Sequence, residues 1–152
     1  MKLESARILS EKEIPYRLIE LSDRAISVED VIAYSKSTIK AEEVCKTIIV
    51  KDKKGKKYGM FLRGNDRLDF KKLKKILGKV SIASFKEVKE STGVEPGAVC
   101  PLTIDIPIIV DERVFDIESL NFGSGDHLYG IEIRTEDLKK VIDFKVEDIA
   151  ED

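Results

Sequence analysis

Three stretches of this 152-residue chain, far apart in sequence, hold residue types that could do chemistry. The first is Val44-Cys45-Lys46-Thr47-Ile48-Ile49-Val50, a run apolar enough to be a buried strand, with a lysine in its middle. Period-two alternation puts Lys46 on the face of Val44, Ile48 and Val50. Desolvating an ammonium is costly or lowers its pKa, so such a lysine either snorkels to water along its stem or serves a site. The second stretch is Thr92-Gly93-Val94-Glu95-Pro96-Gly97-Ala98-Val99-Cys100-Pro101. Here Gly97 is free to take positive φ and Pro101 fixes the exit, so the backbone is set rather than a side chain presented. A loop held in this way can aim successive N–H groups at one point, as oxyanion binding requires; the plain alternative is a connecting loop. The third is Gly123-Ser124-Gly125-Asp126-His127, where two glycines permit close approach of a ligand and His127 is the chain's single imidazole. Its plain alternative is a turn carrying a satisfied surface histidine.

Composition narrows the chemistry. Hydrophobic residues make up 42% of the chain and charged residues 37%, the balance of a well-solvated globular domain. The apolar runs are strand-sized, too short to span a membrane as helices, and the N-terminus has no apolar signal core, so a cytoplasmic location is expected. Cys45 and Cys100 match no disulfide framework, zinc spacing or redox relay, and read as small core or pocket-lining hydrophobes. One histidine and no Cys-x-x-Cys argue against a structural metal, and one histidine supports no convincing Ser-His-Asp order. The absence of a P-loop or dinucleotide fingerprint removes nucleotide hydrolysis and hydride transfer as leading readings. Net charge is only −2 but unevenly spread. Lys51 to Lys57 carries five lysines, Lys71, Lys72, Lys74, Lys75 and Lys79 follow, and the segment from about 143 is acidic. This asymmetry is compatible with a basic face toward a polyanion and an acidic tail pointing away, or with an ordinary solvated turn and helix face.

The elements that must position these stretches follow from periodicity and caps. A short amphipathic helix around Leu3, Ala6 and Leu9 ends before Pro15, and residues 16–21 alternate as a strand. Ser27 caps a helix through Tyr34. After the Lys46 strand, residues 52–56 form a hairpin turn into a strand over 57–63. Asp69 caps a helix over 70–77 that Gly78 stops, Val80 to Ala83 is a short strand, and Ser84 to Glu87 has capping-box spacing. Strands are expected near 106–111, 119–122 and 129–134, with Thr135 capping a last helix through Ile142. The expected architecture is α+β: a single domain over residues 1–152 with a curved, mixed, mostly antiparallel β-sheet surrounded by short helices.

In order, Lys46-Thr47 in a buried strand, Thr92-Gly93 leading to Gly97-x-x-x-Pro101, Gly123-Ser124-Gly125, and Gly130-Ile131-Glu132-Ile133 form a combination that resembles the YbaK/prolyl-tRNA-synthetase-associated domain family, the editing domains that deacylate mischarged tRNA. The likeness runs from the first helix to about Ile149. It implies a mixed-sheet α+β fold, no metal or other cofactor, and hydrolysis of the ester joining a wrong amino acid to the tRNA 3′ end. Position by position, Lys46 matches the family's essential lysine, expected at the phosphate or ribose of the terminal adenosine. Gly97 heads the loop whose backbone would polarise the ester carbonyl. His127 falls where the prolyl-tRNA synthetase insertion type has a histidine near the aminoacyl pocket. Thr47, Ala98, Val99, Cys100, Pro101, Ser124, Gly125 and Asp126 become candidate substrate-binding residues, with Cys100 standing where many relatives have serine. Lys53, Lys54, Lys56, Lys57, Lys71 and Lys74 become candidate tRNA-binding residues.

The resemblance makes mischarged tRNA, met at its acceptor end, the expected partner, and a prolyl-tRNA synthetase a further candidate. The leading expectation is a trans-acting, metal-independent aminoacyl-tRNA deacylase, with alanyl-tRNA-Pro the first substrate and cysteinyl, seryl or threonyl esters behind it. Two alternatives stand beside it: a non-catalytic tRNA- or synthetase-binding module of the same fold, and a Schiff-base chemistry at Lys46.

Overall fold

Side-chain caps set several of the helix starts. The computed structural model describes residues 3–25, 27–36 and 38–152. Chain order begins with helix α1 (Glu4–Glu11), strand β1 (Arg17–Glu20) and helix α2 (Val28–Tyr34), the last opened by the Ser27 hydroxyl accepting from the Asp30 N–H. Strands β2 (Cys45–Asp52) and β3 (Lys57–Arg63) are joined by a turn in which Gly55 takes φ +83° and the Asp52 carboxylate accepts from the N–H groups of Lys54 and Lys56. Asp69 accepts from Lys71 and Lys72 to start α3 (Phe70–Leu77), which Gly78 ends at positive φ. Strand β4 (Val80–Ile82) leads into α4 (Phe85–Thr92), held by a reciprocal Ser84–Glu87 capping box. Strands β5 (Ile108–Asp111), β6 (Ser119–Gly123) and β7 (Tyr129–Arg134), the short helix α5 (Leu138–Val141) and strand β8 (Lys145–Glu147) complete the chain.

The strands form two hydrogen-bonded groups. One is antiparallel, in the order β1-β7-β6; the other is mixed, in the order β4-β2-β3-β5-β8, with β3, β5 and β8 parallel. A bridge between Val44 and Asn121 links them. The architecture is therefore the expected mixed, mostly antiparallel α+β arrangement, with its curved sheet divided at that bridge. Residues directly opposite on neighbouring strands share a face, which assigns the two sides of β2. Thr47 pairs with Phe61 on the side of the main core, where Phe61 meets the Phe122 ring edge-on. Lys46, Ile48 and Val50 pair with Leu62, Met60 and Tyr58 on the side of α3, whose Leu73 is fully buried among them. Burying that leucine contributes about 1.5–3 kcal/mol.

Two expectations are overturned. The segment from 143 is not an acidic tail pointing away: β8 adds to β5, Ile149 and Ala150 are fully buried, and the Asp148 and Asp152 side chains turn back onto the protein. Ile149 and Ala150 supply the apolar contacts, and buried Asp111 receives their N–H groups at 2.9 and 3.2 Å. Lys72 is drawn in as well, binding Asp148 and Asp152 at 2.9 and 3.0 Å, so it is not part of an open basic face. Thr135 does not cap a helix. Its hydroxyl donates to the Ile117 carbonyl at 2.5 Å, residues Thr135–Asp137 form a 3-10 turn, and α5 follows.

Candidate active site

The edge of β2 facing away from β3 is covered unevenly. β4 pairs only with Val50–Asp52, Val44 bridges Asn121, and the stretch between forms one wall of a cavity of about 340 Å³. Ile19, Leu21, Ala25 and Val31 give this cavity an apolar side. Lys46 and Thr47 from β2, Gly97 and Val99 from the loop after α4, and Asn121 and Gly123 from β6 line the rest, with Asp126 and His127 from the loop before β7. A largely apolar pocket with a few convergent polar groups is the usual form of a small-molecule site.

The two glycine-containing loops are stitched together main chain to main chain. Gly97 takes φ +94°, the Ala98 N–H closes a turn on Glu95 O, and the Gly125 N–H donates to Ala98 O at 2.8 Å. A β-carbon at Gly123 would lie 2.7 Å from the Val99 carbonyl oxygen, so only glycine lets β6 approach this loop. The Ser124 hydroxyl donates to the Tyr129 carbonyl at 2.6 Å, and the Asp126 carboxylate receives the Leu128 N–H at 2.8 Å, which shapes the entry to β7. His127 is anchored through Nδ1, 2.7 Å from the Ala25 carbonyl. Because a carbonyl can only accept, Nδ1 donates, and Nε2 of the neutral ring carries the lone pair. Nε2 lies 3.3 Å from Glu95 Oε2 but off hydrogen-bond alignment, and Glu95 itself pairs with Arg24.

Lys46 stands at the rim. Its ammonium donates to the Gly64 carbonyl at 3.0 Å, and partial burial lowers its pKa from the ordinary lysine value against the attraction of Asp66 and Glu29. Gly64 is itself confined, since a β-carbon there would lie 2.8 Å from both Val28 Cγ2 and the Val44 carbonyl oxygen. Both cysteines are buried, and burial pushes each thiol up to about 12, so neither offers a thiolate at neutral pH.

Among the described residues, four buried side-chain polar atoms have no hydrogen-bond partner: Thr47 Oγ1, Asn121 Oδ1 and Nδ2, and His127 Nε2. All three residues line this one cavity. Buried polar groups are ordinarily paired, so unpaired ones gathered at a single place mark a surface made for a ligand.

Of the residues singled out in the sequence, Lys46, Thr47, Gly97, Val99, Asp126 and His127 line the cavity, while Ala98, Cys100, Pro101, Ser124 and Gly125 do not. Cys100 belongs to the main core, which leaves its side chain no route to a substrate; Pro101 is buried, and Ala98, Ser124 and Gly125 hold the loops through their hydrogen bonds. Lys53, Lys54 and Lys56 are exposed at the β2–β3 turn, as are Lys71 and Lys74 on α3. Lys57 folds back on the Gly55 carbonyl at 3.2 Å, with Glu87 at 4.0 Å. Six residues of extended strand put the β2–β3 turn roughly 20 Å from Lys46. Asn121 is the buried polar cavity residue that sequence reading missed. An amide inside Leu120-Asn121-Phe122 is as anomalous for a buried strand as the lysine of β2, and that signal was available.

Fold and cavity together define a small α+β domain that encloses a ligand-sized, partly polar chamber between two sheets. The sequence matches the aminoacyl-tRNA editing domain family over residues 25–141, and the chain belongs to that family. A proline–tRNA ligase of Syntrophotalea carbinolica (strain DSM 2380 / NBRC 103641 / GraBd1) is 28% identical over 130 residues, covering 82% of this chain and 21% of the ligase. The chain thus spans about a fifth of the length of that relative. Among solved structures, the hypothetical protein APE2540 superposes with a TM-score of 0.86 at 26% identity, over 97% of this chain and 100% of that one. A candidate trans-editing enzyme for prolyl tRNA synthetase superposes with a TM-score of 0.82 over the whole of both chains; at 20% identity this likeness concerns the fold. Among the described residues no helix is long and apolar enough to cross a membrane, and no three His, Cys, Asp or Glu side chains converge as metal ligands.

Proposed function

We propose that this protein is an aminoacyl-tRNA deacylase that acts in trans on mischarged tRNA, with alanyl-tRNA-Pro its first substrate and cysteinyl, seryl or threonyl esters next. The observation that carries this reading is that Lys46, Gly97 and His127, spread over 81 positions of sequence, line the same cavity. Physical need supports it too. A proline-activating site loses only about 1–3 kcal/mol when a smaller side chain replaces proline, so a second chamber that admits the small residue is the available remedy.

In this mechanism Lys46 at the rim holds the phosphate or ribose of the terminal nucleotide, and the aminoacyl group enters between the two loops. A water molecule, or the free hydroxyl of the terminal ribose, attacks the ester carbonyl. The N–H groups of Gly97 and Val99 stabilise the developing oxyanion, the Ala98 N–H being engaged with Glu95 O. His127 orients the aminoacyl end. No protein nucleophile is needed, in keeping with two cysteines held as thiols. The exposed lysines at 53, 54, 56, 71 and 74, with Lys57 beside them, bind the acceptor stem through phosphate contacts that weaken with salt and read little sequence. A prolyl-tRNA synthetase that delivers the tRNA is a natural partner for such an activity.

The test is release of [14C]alanine from alanyl-tRNA-Pro by the purified protein and its Lys46→Ala variant, with folding followed by circular dichroism. Hydrolysis well above the blank in the wild type, lost in a folded Lys46→Ala, supports the proposal. Wild-type rates in the variant refute the role of Lys46. Tight tRNA binding with ester loss at the blank rate refutes the deacylase and selects a binding module.

A further inference from the structure

Asn121 has no task in the mechanism above, yet it is only 2% exposed and neither end of its amide is paired. It lies on β6 between Leu120 and Phe122, which turn into the main core, so its own side chain faces the other way, toward the cavity that it lines. Its partners there have a definite polarity. In the neutral ring, with Nδ1 donating to Ala25 O, His127 Nε2 is an acceptor; Asn121 Oδ1 is an acceptor, and Thr47 Oγ1 can accept. The Glu95 carboxylate lies 3.3 Å beyond Nε2. With the Glu95 charge met by Arg24, what these side chains offer a ligand is unpaired acceptors, which suit a group with several N–H donors.

We infer that Asn121 binds the free α-amino group of the aminoacyl ester, its Oδ1 accepting an N–H bond while Nδ2 donates to an oxygen of the same ester. The amide turns about χ2 as the ester enters, a soft two-fold torsion that exposes either end at little cost. Thr47 and His127 complete the seat. The site therefore takes esters of free α-amino acids and refuses N-acylated ones, so a peptidyl-tRNA or an N-formylated aminoacyl-tRNA is spared. This inference rests on the reading of the cavity as an aminoacyl site and adds what that site recognises.

The experiment crosses two substrates with two proteins. Alanyl-tRNA-Pro and N-acetylalanyl-tRNA-Pro are given to the wild type and to Asn121→Leu, and the non-hydrolysable alanylamide of 3′-amino-3′-deoxyadenosine, with and without an N-acetyl group, is titrated into both by calorimetry. The wild type should prefer the free amine by about tenfold or more, as expected for one charge-assisted hydrogen bond. Asn121→Leu should lose that preference, and its melting temperature should hold or rise, because an unpaired buried amide is removed. A ratio unchanged by the substitution, or a wild type indifferent to acetylation, overturns the inference. Selective binding of the free-amine analogue without ester hydrolysis overturns the deacylase reading and leaves this one standing. Should Asn121→Leu fail to fold, Asn121→Asp serves instead: it keeps an acceptor, adds charge, and should strengthen the preference; an unchanged or weaker one again overturns the inference.

Discussion

The C-terminal segment and the cavity treat buried polar groups in opposite ways. Around Asp111 the charges are met. Its carboxylate receives the N–H groups of Arg113, Ile149 and Ala150 and the Arg113 guanidinium, which also binds Asp148 at 2.8 Å and Asp152 at 2.6 Å, while Lys72 grips the same two aspartates. In the cavity, Thr47, Asn121 and His127 leave atoms unpaired and Lys46 is partly desolvated. The first arrangement fastens a chain end to the sheet. The second holds back interactions that would have stabilised the fold and keeps them for a ligand, which is where local rules are expected to break.

The largest effect on that contrast should come from Asp111→Ala. It leaves the N–H groups of Arg113, Ile149 and Ala150 without their acceptor and the Arg113 guanidinium with only Asp148 and Asp152, and denaturant unfolding should register a loss of about 3–5 kcal/mol. Gly123→Ala should come next. The new methyl meets the Val99 carbonyl, and the resulting strain should cost about 1–3 kcal/mol while prising the two loops apart. Deacylation should fall further than stability does, and unchanged turnover in this variant would separate the loop contact from the chemistry.

Lys46→Met should do the reverse, abolishing turnover while raising the melting temperature slightly at neutral pH. The sign follows from the lowered pKa: the folded state resists the ammonium, so the charged form weakens folding below the folded pKa. That penalty is relieved as pH climbs to the ordinary lysine value, so the advantage of the variant should shrink in alkaline buffer. The smallest effect is expected for Asp148→Asn. Arg113 first, and then Lys72, hold the Asp148 carboxyl below the usual carboxylate range. Its contribution is present above the unfolded carboxylate value and is lost as pH falls through the lower folded one. The gap in melting temperature between Asp148→Asn and wild type should therefore be measurable at pH 7 and close in acid. A gap that persists below pH 2 would show that packing, not charge, ties this segment down.

Much of this molecule was legible residue by residue. Asp69 and Ser84 cap the helices their spacing announced, Gly55 and Gly78 take the positive φ their places required, and β7 runs over the residues that alternation marked. What failed were inferences about distant partners. Charge alone described the last ten residues as a free acidic tail, because nothing local says that Asp111, 38 positions earlier than Ile149, waits to receive their backbone. Thr135 looked like a cap until the Ile117 carbonyl, 18 positions away, claimed its hydroxyl. Cys100 was legible as a small hydrophobe of core or pocket; packing puts it in the main core while Gly97 and Val99 of the same loop line the cavity.

By itself the sequence determined the lengths, ends and apolar faces of most elements, because caps, turns and periodicity act over a few residues where side chain and backbone are covalent neighbours. It also marked Lys46 as costly to bury and therefore meaningful. Only the tertiary structure decided that this lysine, two glycine loops, one histidine and an overlooked asparagine surround one chamber, and that the acidic end packs beside β5 and α3. Those outcomes depend on strand order and on which groups are left unpaired after packing, and both are properties of the whole chain.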